Sequence, residues 1–457
     1  MSRGKKIINI SKLNKNTIWT PWIFACTVYF LVVISLINNN NLCMNLAVVL
    51  SIGYVLIFDI SSDILLLLGL TIFENAMKFN GILAWFFIIL TIIVKYLVVN
   101  KGKIKSKRST ALYVSWILAF IVFVTDALSY GIKGQMLTTV ALILFWGLIT
   151  CADFEWTITS ERIVLFLGSS FSFAMYYLIR EYGGIGNFLN SFMSSTYAYR
   201  FGHEFGETIG GSMAIPIYAL MILSFSLCAI LGETMHKNMV KLIAMMIICV
   251  IAFVAGALTI SRSFYAGLII IITIFLLSKT KNTRSRNAKM LLIIITAVIS
   301  LVVVNNYYDV VIQTVNDLFS RVSVGGGTGG RTDIWKSCFS YLINHPVGLI
   351  LGYGSNGYPI IGLKSGELFS AGAHNFYIDL LMSWGIVGSL CVLYICRQYR
   401  PVKGCIRAFM KNKIIFIPFI VLLFFCTTAM RTNSMKTVVY FFVSMLLIKQ
   451  ESPEQKM

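Results

Sequence analysis

Residues 18–37 read IWTPWIFACTVYFLVVISLI, with no charged side chain among them. As a helix this stretch rises about 30 Å, the depth of a bilayer's hydrocarbon core. In lipid every backbone N–H and C=O must be satisfied internally, which makes such a run a helix. Basic residues precede it (Arg3, Lys5, Lys6, Lys12, Lys15) and Asn38–Asn41 follow. A removable signal would end in a small-residue cleavage site instead, so the stretch reads as a first permanent span.

The same pattern recurs to the end of the chain. Further apolar runs lie at 42–58, 64–79, 82–99, 111–128, 135–151, 162–179, 209–231, 242–260, 264–277, 290–304, 375–396, 414–429 and 437–448. The 457 residues are 58% hydrophobic and 12% charged; soluble domains carry about twice that charged fraction. A transmembrane β-barrel would show apolar residues alternating over about ten positions, and no such pattern occurs. The expected fold is therefore all-α: a single polytopic membrane domain over 1–457, with about 14 (12–14) transmembrane helices. Ten cysteines are present, but Cys26, Cys228, Cys249, Cys391 and Cys426 sit inside apolar runs. No Cys-x-x-Cys pair exists, which argues against zinc or a disulfide framework.

The net charge of +20 has a topological reading. With a cytoplasmic N-terminus, the clusters Lys101–Arg108, Lys279–Lys289 and Arg397–Lys413 all fall on the cytoplasmic side, as short basic loops do. The C-terminus is then cytoplasmic too, and the charge faces membrane lipids rather than nucleic acid. Two outer segments are long, 181–208 and 305–373, the latter a large extracytoplasmic loop expected to carry short interfacial helices. Function concentrates in such loops, held by a rigid scaffold.

Within the larger loop, GGGTGGR (Gly325–Arg331) can turn backbone amides toward an anion. It reads equally as a flexible loop. No Gly-Lys-Ser/Thr follows, so it is not a nucleotide-binding P-loop. Ile334, Trp335, Cys338, Phe339 and Leu342 recur at helical spacing, predicting a short amphipathic helix from about Thr332. Arg331 would stand at its N-terminal end, where helix dipole and amides favour an anion. Pro346 and the glycines of GLILGYGSNGY should break this helix and form a second turn-rich segment. Arg262 closes the span ending in LTIS; it could snorkel to headgroups or hold a phosphate bidentately. His374 opens the span after the large loop and could be a structural hydrogen-bonder or a base. Arg180, Arg200, His203, Glu204 and Glu207 lie in the first long outer segment. His203-Glu204 does not begin a His-Glu-x-x-His zinc motif, and the histidines have no metal-ligand spacing. Two fixed cations and a titratable ring at one membrane level suit a lipid-linked diphosphate.

Four stretches in order, TISR (Thr259–Arg262), GGRTDIW (Gly329–Trp335), NHPVGLILGYG (Asn344–Gly354) and AHNFYIDLLMSWGIVG (Ala373–Gly388), resemble the motifs of the O-antigen polymerase and ligase superfamily. The resemblance covers about residues 255–390. It implies a GT-C-type membrane glycosyltransferase with an undecaprenyl-diphosphate-linked oligosaccharide as donor and acceptor, acting at the outer face of the bacterial cytoplasmic membrane, with no cofactor and no metal. Arg262 and Arg331 would hold the diphosphate, and His374 would position or deprotonate the acceptor hydroxyl. Arg200, Trp335 and Asn375 are the candidate substrate-binding residues. A chain-length regulator and a flippase are the further partners such a role suggests. Within the superfamily, a polymerase of repeat units for capsule, exopolysaccharide or O-antigen is favoured over a ligase by a lysine-, asparagine- and isoleucine-rich composition. Outside it, the alternative is a lipid-linked oligosaccharide flippase. That class tends to place charge near the bilayer midplane, whereas these spans read as nearly charge-free.

Overall fold

A computed structural model describes residues 19–79, 82–99, 109–131, 134–151, 156–187, 201–202, 205–231, 239–278, 331–355, 361–362, 372–398, 413–428 and 434–450, with a few single positions between 286 and 316 and at 409. Its helices follow the apolar runs: α1 (Trp19–Asn38), α2 (Asn41–Ile57), α3 (Ile60–Leu70), α4 (Ala84–Val99), α5 (Ser109–Tyr130), α6 (Gly134–Cys151) and α7 (Ser160–Glu181). There follow a one-turn α8 (Gly206–Ile209), α9 (Gly211–Leu231), α10 (Met239–Leu258), α11 (Arg262–Leu277), α12 (Arg331–Asn344), α13 (Pro346–Leu351), α14 (Phe376–Gln398), α15 (Ile417–Thr428) and α16 (Met435–Gln450). Local chemistry fixes several starts. Asn40, Asp59 and Thr159 each accept a backbone N–H of the first turn of α2, α3 and α7, satisfying donors that no intrahelical carbonyl can reach.

Among the described residues six helices are long and apolar enough to cross a membrane, and seven more apolar helices of 10–17 residues accompany them. The chain is thus a polytopic helical membrane protein. The run at 290–304 lies almost wholly outside the described residues, as do the glycine run Gly325–Gly330, Arg200, His203 and Glu204. Helix α9 is the centre of the bundle: 83% of its apolar window is buried, against 28% for α10. Accordingly α10 turns Ile243, Met246, Ile247, Val250 and Val254 outward and buries Met245, Ile248, Ala252 and Ala255. This is the inverse of a soluble amphipathic helix, because lipid replaces water on the outer face.

Three expectations need correction. The third run does not extend to 79. Helix α3 tightens into a 3-10 turn at Thr71–Phe73, and Lys78–Phe79 pairs antiparallel with Ile82–Leu83. Asn80-Gly81, a strong hairpin signal, stands between those two short strands in the sequence; the described residues are otherwise helical. Second, the spans are not free of ionisable groups: Asp63, Glu74, Asp126 and Asp379 are all buried. Third, Pro346 does not merely break a helix. It starts α13 at the first helical position, where its missing N–H costs nothing.

Two of the three apolar clusters among the described residues organise the packing. The large one joins α1–α7, α9–α11 and α14–α16. The smaller comprises Cys338, Tyr341, Leu342, Ile361, Ala373, Ile378 and Met382, with Ile334, Trp335, Leu349, Tyr353 and Leu381 against it. Helix α14 serves both, with Ile378 and Met382 toward the small cluster and Leu380 and Trp384 toward the large.

Candidate active site

One end of the bundle collects the chain's loop chemistry. The backbone N–H of Phe201 donates to the Leu258 carbonyl at 3.3 Å, just before the α10–α11 turn. Gly202 N–H donates to Tyr182 Oη at 2.9 Å, and the Tyr182 ring meets those of Phe201 and Phe205. Arg180 stands in the last turn of α7 at this end. Glu74 lies here too, buried; it accepts from Ser434 Oγ at 2.9 Å and from Met435 N–H at 2.6 Å, so it caps α16, with Lys436 Nζ 3.9 Å away.

Arg262 is the first residue of α11, after Ser261 in extended backbone. Its turn is strained: Ile260 has φ 46°, a left-handed conformation that a β-branched side chain rarely takes. Phe264 is fully buried and packs on Gly256, where a Cβ would come within 2.1 Å of its ring. That close approach shuts the hairpin and leaves Arg262 at its tip.

Arg331 heads α12, as Arg262 heads α11. Its guanidinium Nη1 donates to the carbonyl of Thr428, the last residue of α15, at 2.8 Å. Burial first, and then the positive charge of Arg262, weaken the proton affinity of Arg331. The charge of Arg262 thus acts on Arg331 across 68 intervening residues. Arg331 remains a cation at neutral pH. Each arginine sits at the positive pole of a helix, where a cation is disfavoured and an anion is favoured.

Trp335 follows Arg331 by one helical turn, on the same face. Its indole N–H donates to the Ala373 carbonyl at 2.8 Å, so the residue before His374 is tied to the helix that carries Arg331. His374 itself has φ 50°. Asn375 accepts the N–H groups of Tyr377 and Ile378 on its side-chain oxygen at 3.0 and 3.3 Å, capping α14. The geometry thus gives Trp335 and Asn375 structural contacts. Arg262, Arg331, Trp335, His374 and Asn375 are all partly exposed. Of the other loop candidates, Arg200, His203 and Glu204 lie outside the described residues, as does the Glu207 side chain. Among the described residues no group of three His, Cys, Asp or Glu side chains could hold a metal ion.

Sequence reasoning did not find the Thr428 carbonyl, which no motif marks, nor Asp126 and Glu74. Those two acids carried a signal: a lone ionisable residue within or beside an apolar run is a functional or structural anchor by default.

Two arginines and a histidine thus stand at helix starts toward one end of the described bundle. Residues 214–393 match the family model described as O-Antigen ligase. The match spans less than half of the chain and includes Arg262, Arg331 and His374. No curated protein and no solved structure matches the chain.

Proposed function

We propose that the protein is a polysaccharide polymerase, an inverting GT-C-type glycosyltransferase that joins undecaprenyl-diphosphate-linked repeat units at the outer face of the bacterial cytoplasmic membrane. The observation that carries this reading is that Arg262 and Arg331 each head a helix within the family-matched stretch. Two guanidiniums at two helix N-termini would suit a diphosphate. In the reaction the acceptor hydroxyl attacks the anomeric carbon from the face opposite the diphosphate. The bond from that carbon to the phosphate oxygen breaks, and its electron pair stays with the departing lipid diphosphate. The hydroxyl proton passes to His374. The arginines stabilise charge that grows on the leaving oxygen, a contribution worth about 3–4 kcal/mol for each well-placed donor.

A ligase that moves finished glycan to lipid or protein is the second reading, favoured by the description of the matched family. Charge at the end of the bundle rather than in a central cavity supports transfer over flipping. Deleting the gene and isolating the accumulated lipid-linked glycan tests all three. A single repeat on the lipid at the outer leaflet is the expected result. A long polymer on the lipid would establish the ligase, and repeats held on the inner leaflet the flippase.

A further inference from the structure

The unit that carries Arg331 and His374 packs around its own small cluster and is joined to the bundle by α14 and by the Arg331–Thr428 bond. Helices α12 and α13 and the upper part of α14 share the small apolar cluster, while Arg262 heads a hairpin packed into the large one. The upper joint of the unit is the Trp335–Ala373 bond. The lower joint is a backbone interlock. Tyr353 N–H donates to Met382 O and Gly354 N–H to Ser383 O, both at 2.9 Å. Helix α14 is broken at Gly385, with φ 63°, which frees these carbonyls from their own helix. A Cβ at Gly352 would lie 2.4 Å from Ser383 O, and one at Gly385 2.4 Å from Ile350 O. Only glycine permits this approach.

The unit then meets the bundle through a buried acid. Asp126, on α5, is 3% exposed. Its Oδ1 accepts the N–H of Ser355 at 2.6 Å, the next residue after the interlock. A Cβ on Gly354 would fall 2.1 Å from that oxygen, so the turn sits directly on the carboxylate. Asp126 Oδ2 meets no donor among the described residues. Asp126 lies outside the family-matched stretch. A carboxylate buried this deeply is costly unless bonded, and the bond it makes joins residues 229 positions apart.

We infer that Asp126 is a positioning residue: by seating the 352–355 turn on α5 it sets the distance between Arg331, on the small unit, and Arg262, on the bundle. This rests on the proposed diphosphate role of the two arginines. Because a single oxygen accepts the bond, a neutral amide should serve in its place. An apolar side chain should not, and the cost should appear in diphosphate affinity.

The test is binding of undecaprenyl diphosphate to the full-length protein in lipid nanodiscs. Asp126→Leu is expected to weaken binding at least tenfold, and Asp126→Asn to stay within about twofold of the unmodified protein. In Asp126→Leu combined with Arg331→Ala, the leucine should add less than twofold to the loss from Arg331→Ala alone, since its effect runs through Arg331. A general structural defect would instead multiply the two losses. If Arg331→Ala weakens binding while Asp126→Leu does not, or if Asp126→Asn is as weak as Asp126→Leu, the positioning role is overturned and the diphosphate reading stands. Unchanged binding in Arg331→Ala would overturn the diphosphate reading itself. Should Asp126→Leu fail to fold, Asp126→Glu decides. It keeps the acceptor but lengthens the arm, so weakening of threefold or more supports the role and unmodified affinity overturns it.

Discussion

An arginine at the first position of a helix opposes the dipole by about 0.3–1 kcal/mol, and here two such arginines also repel each other. That arrangement is stable in isolation only because other contacts hold it, such as the Thr428 carbonyl at the negative end of α15. An anion between the guanidiniums would relieve both penalties at once. Arg262→Ala and Arg331→Ala should therefore each cut glycan transfer by about 100- to 1000-fold. On the proposed role, in which both act on one diphosphate, their combination should fall little further than the worse single change. Rates of transfer from lipid-linked donor by the purified variants measure this, and multiplicative losses would place the two arginines on different groups. Arg331→Lys should remain poor, since a point charge cannot replace a planar fork that holds the Thr428 carbonyl and still has donors for a phosphate. At this scale the sequence marked Arg262, Arg331 and His374 as candidates, since all three stand in quoted stretches. It was silent on Thr428, whose part is played by a backbone carbonyl common to every residue.

Elements were legible wherever burial in lipid dictates a helix, because apolarity and the need for internal hydrogen bonds point to one answer over some twenty residues. They were less legible where glycine geometry decides. Nothing in the run Phe376–Gln398 is polar enough to forbid a straight helix, yet Gly385 breaks it to receive the 352–354 turn. Gly385→Ala should destabilise the protein by a few kcal/mol, from the positive φ and the 2.4 Å approach to Ile350 O together. Gly352→Ala should do the same, and the pair should be less than additive because one interlock is lost. Thermal unfolding in detergent reads both. The start of α14 offers a second test. If Asn375 acts as a cap, Asn375→Asp should retain stability and transfer, while Asn375→Ala costs about 1 kcal/mol. Loss of transfer in Asn375→Asp with normal stability would instead return Asn375 to substrate binding.

Over the whole molecule, the end opposite the arginines carries, among the described residues, a strong buried polar contact. Lys95 Nζ donates to Val55 O and Phe58 O at 2.5 Å and to Asp63 Oδ2 at 2.6 Å, tying α4 to the junction of α2 and α3. From the sequence Lys95 was visible as a charge inside a span. Its partner was not, since 32 residues separate them and only the antiparallel return of the chain brings them together. The Asp63 side chain is fully buried, so removing one partner strands the other in an apolar interior. Lys95→Met or Asp63→Asn alone should cost about 3–5 kcal/mol, whereas the double change should recover most of that loss. The arginine end does not share this contact. Each single variant should thus yield less folded protein and melt earlier in detergent, while the fraction that does fold binds undecaprenyl diphosphate as tightly as before. Weakened binding in that folded fraction would show that the two ends are coupled, and that the helices transmit strain across the bundle instead of confining it to one end.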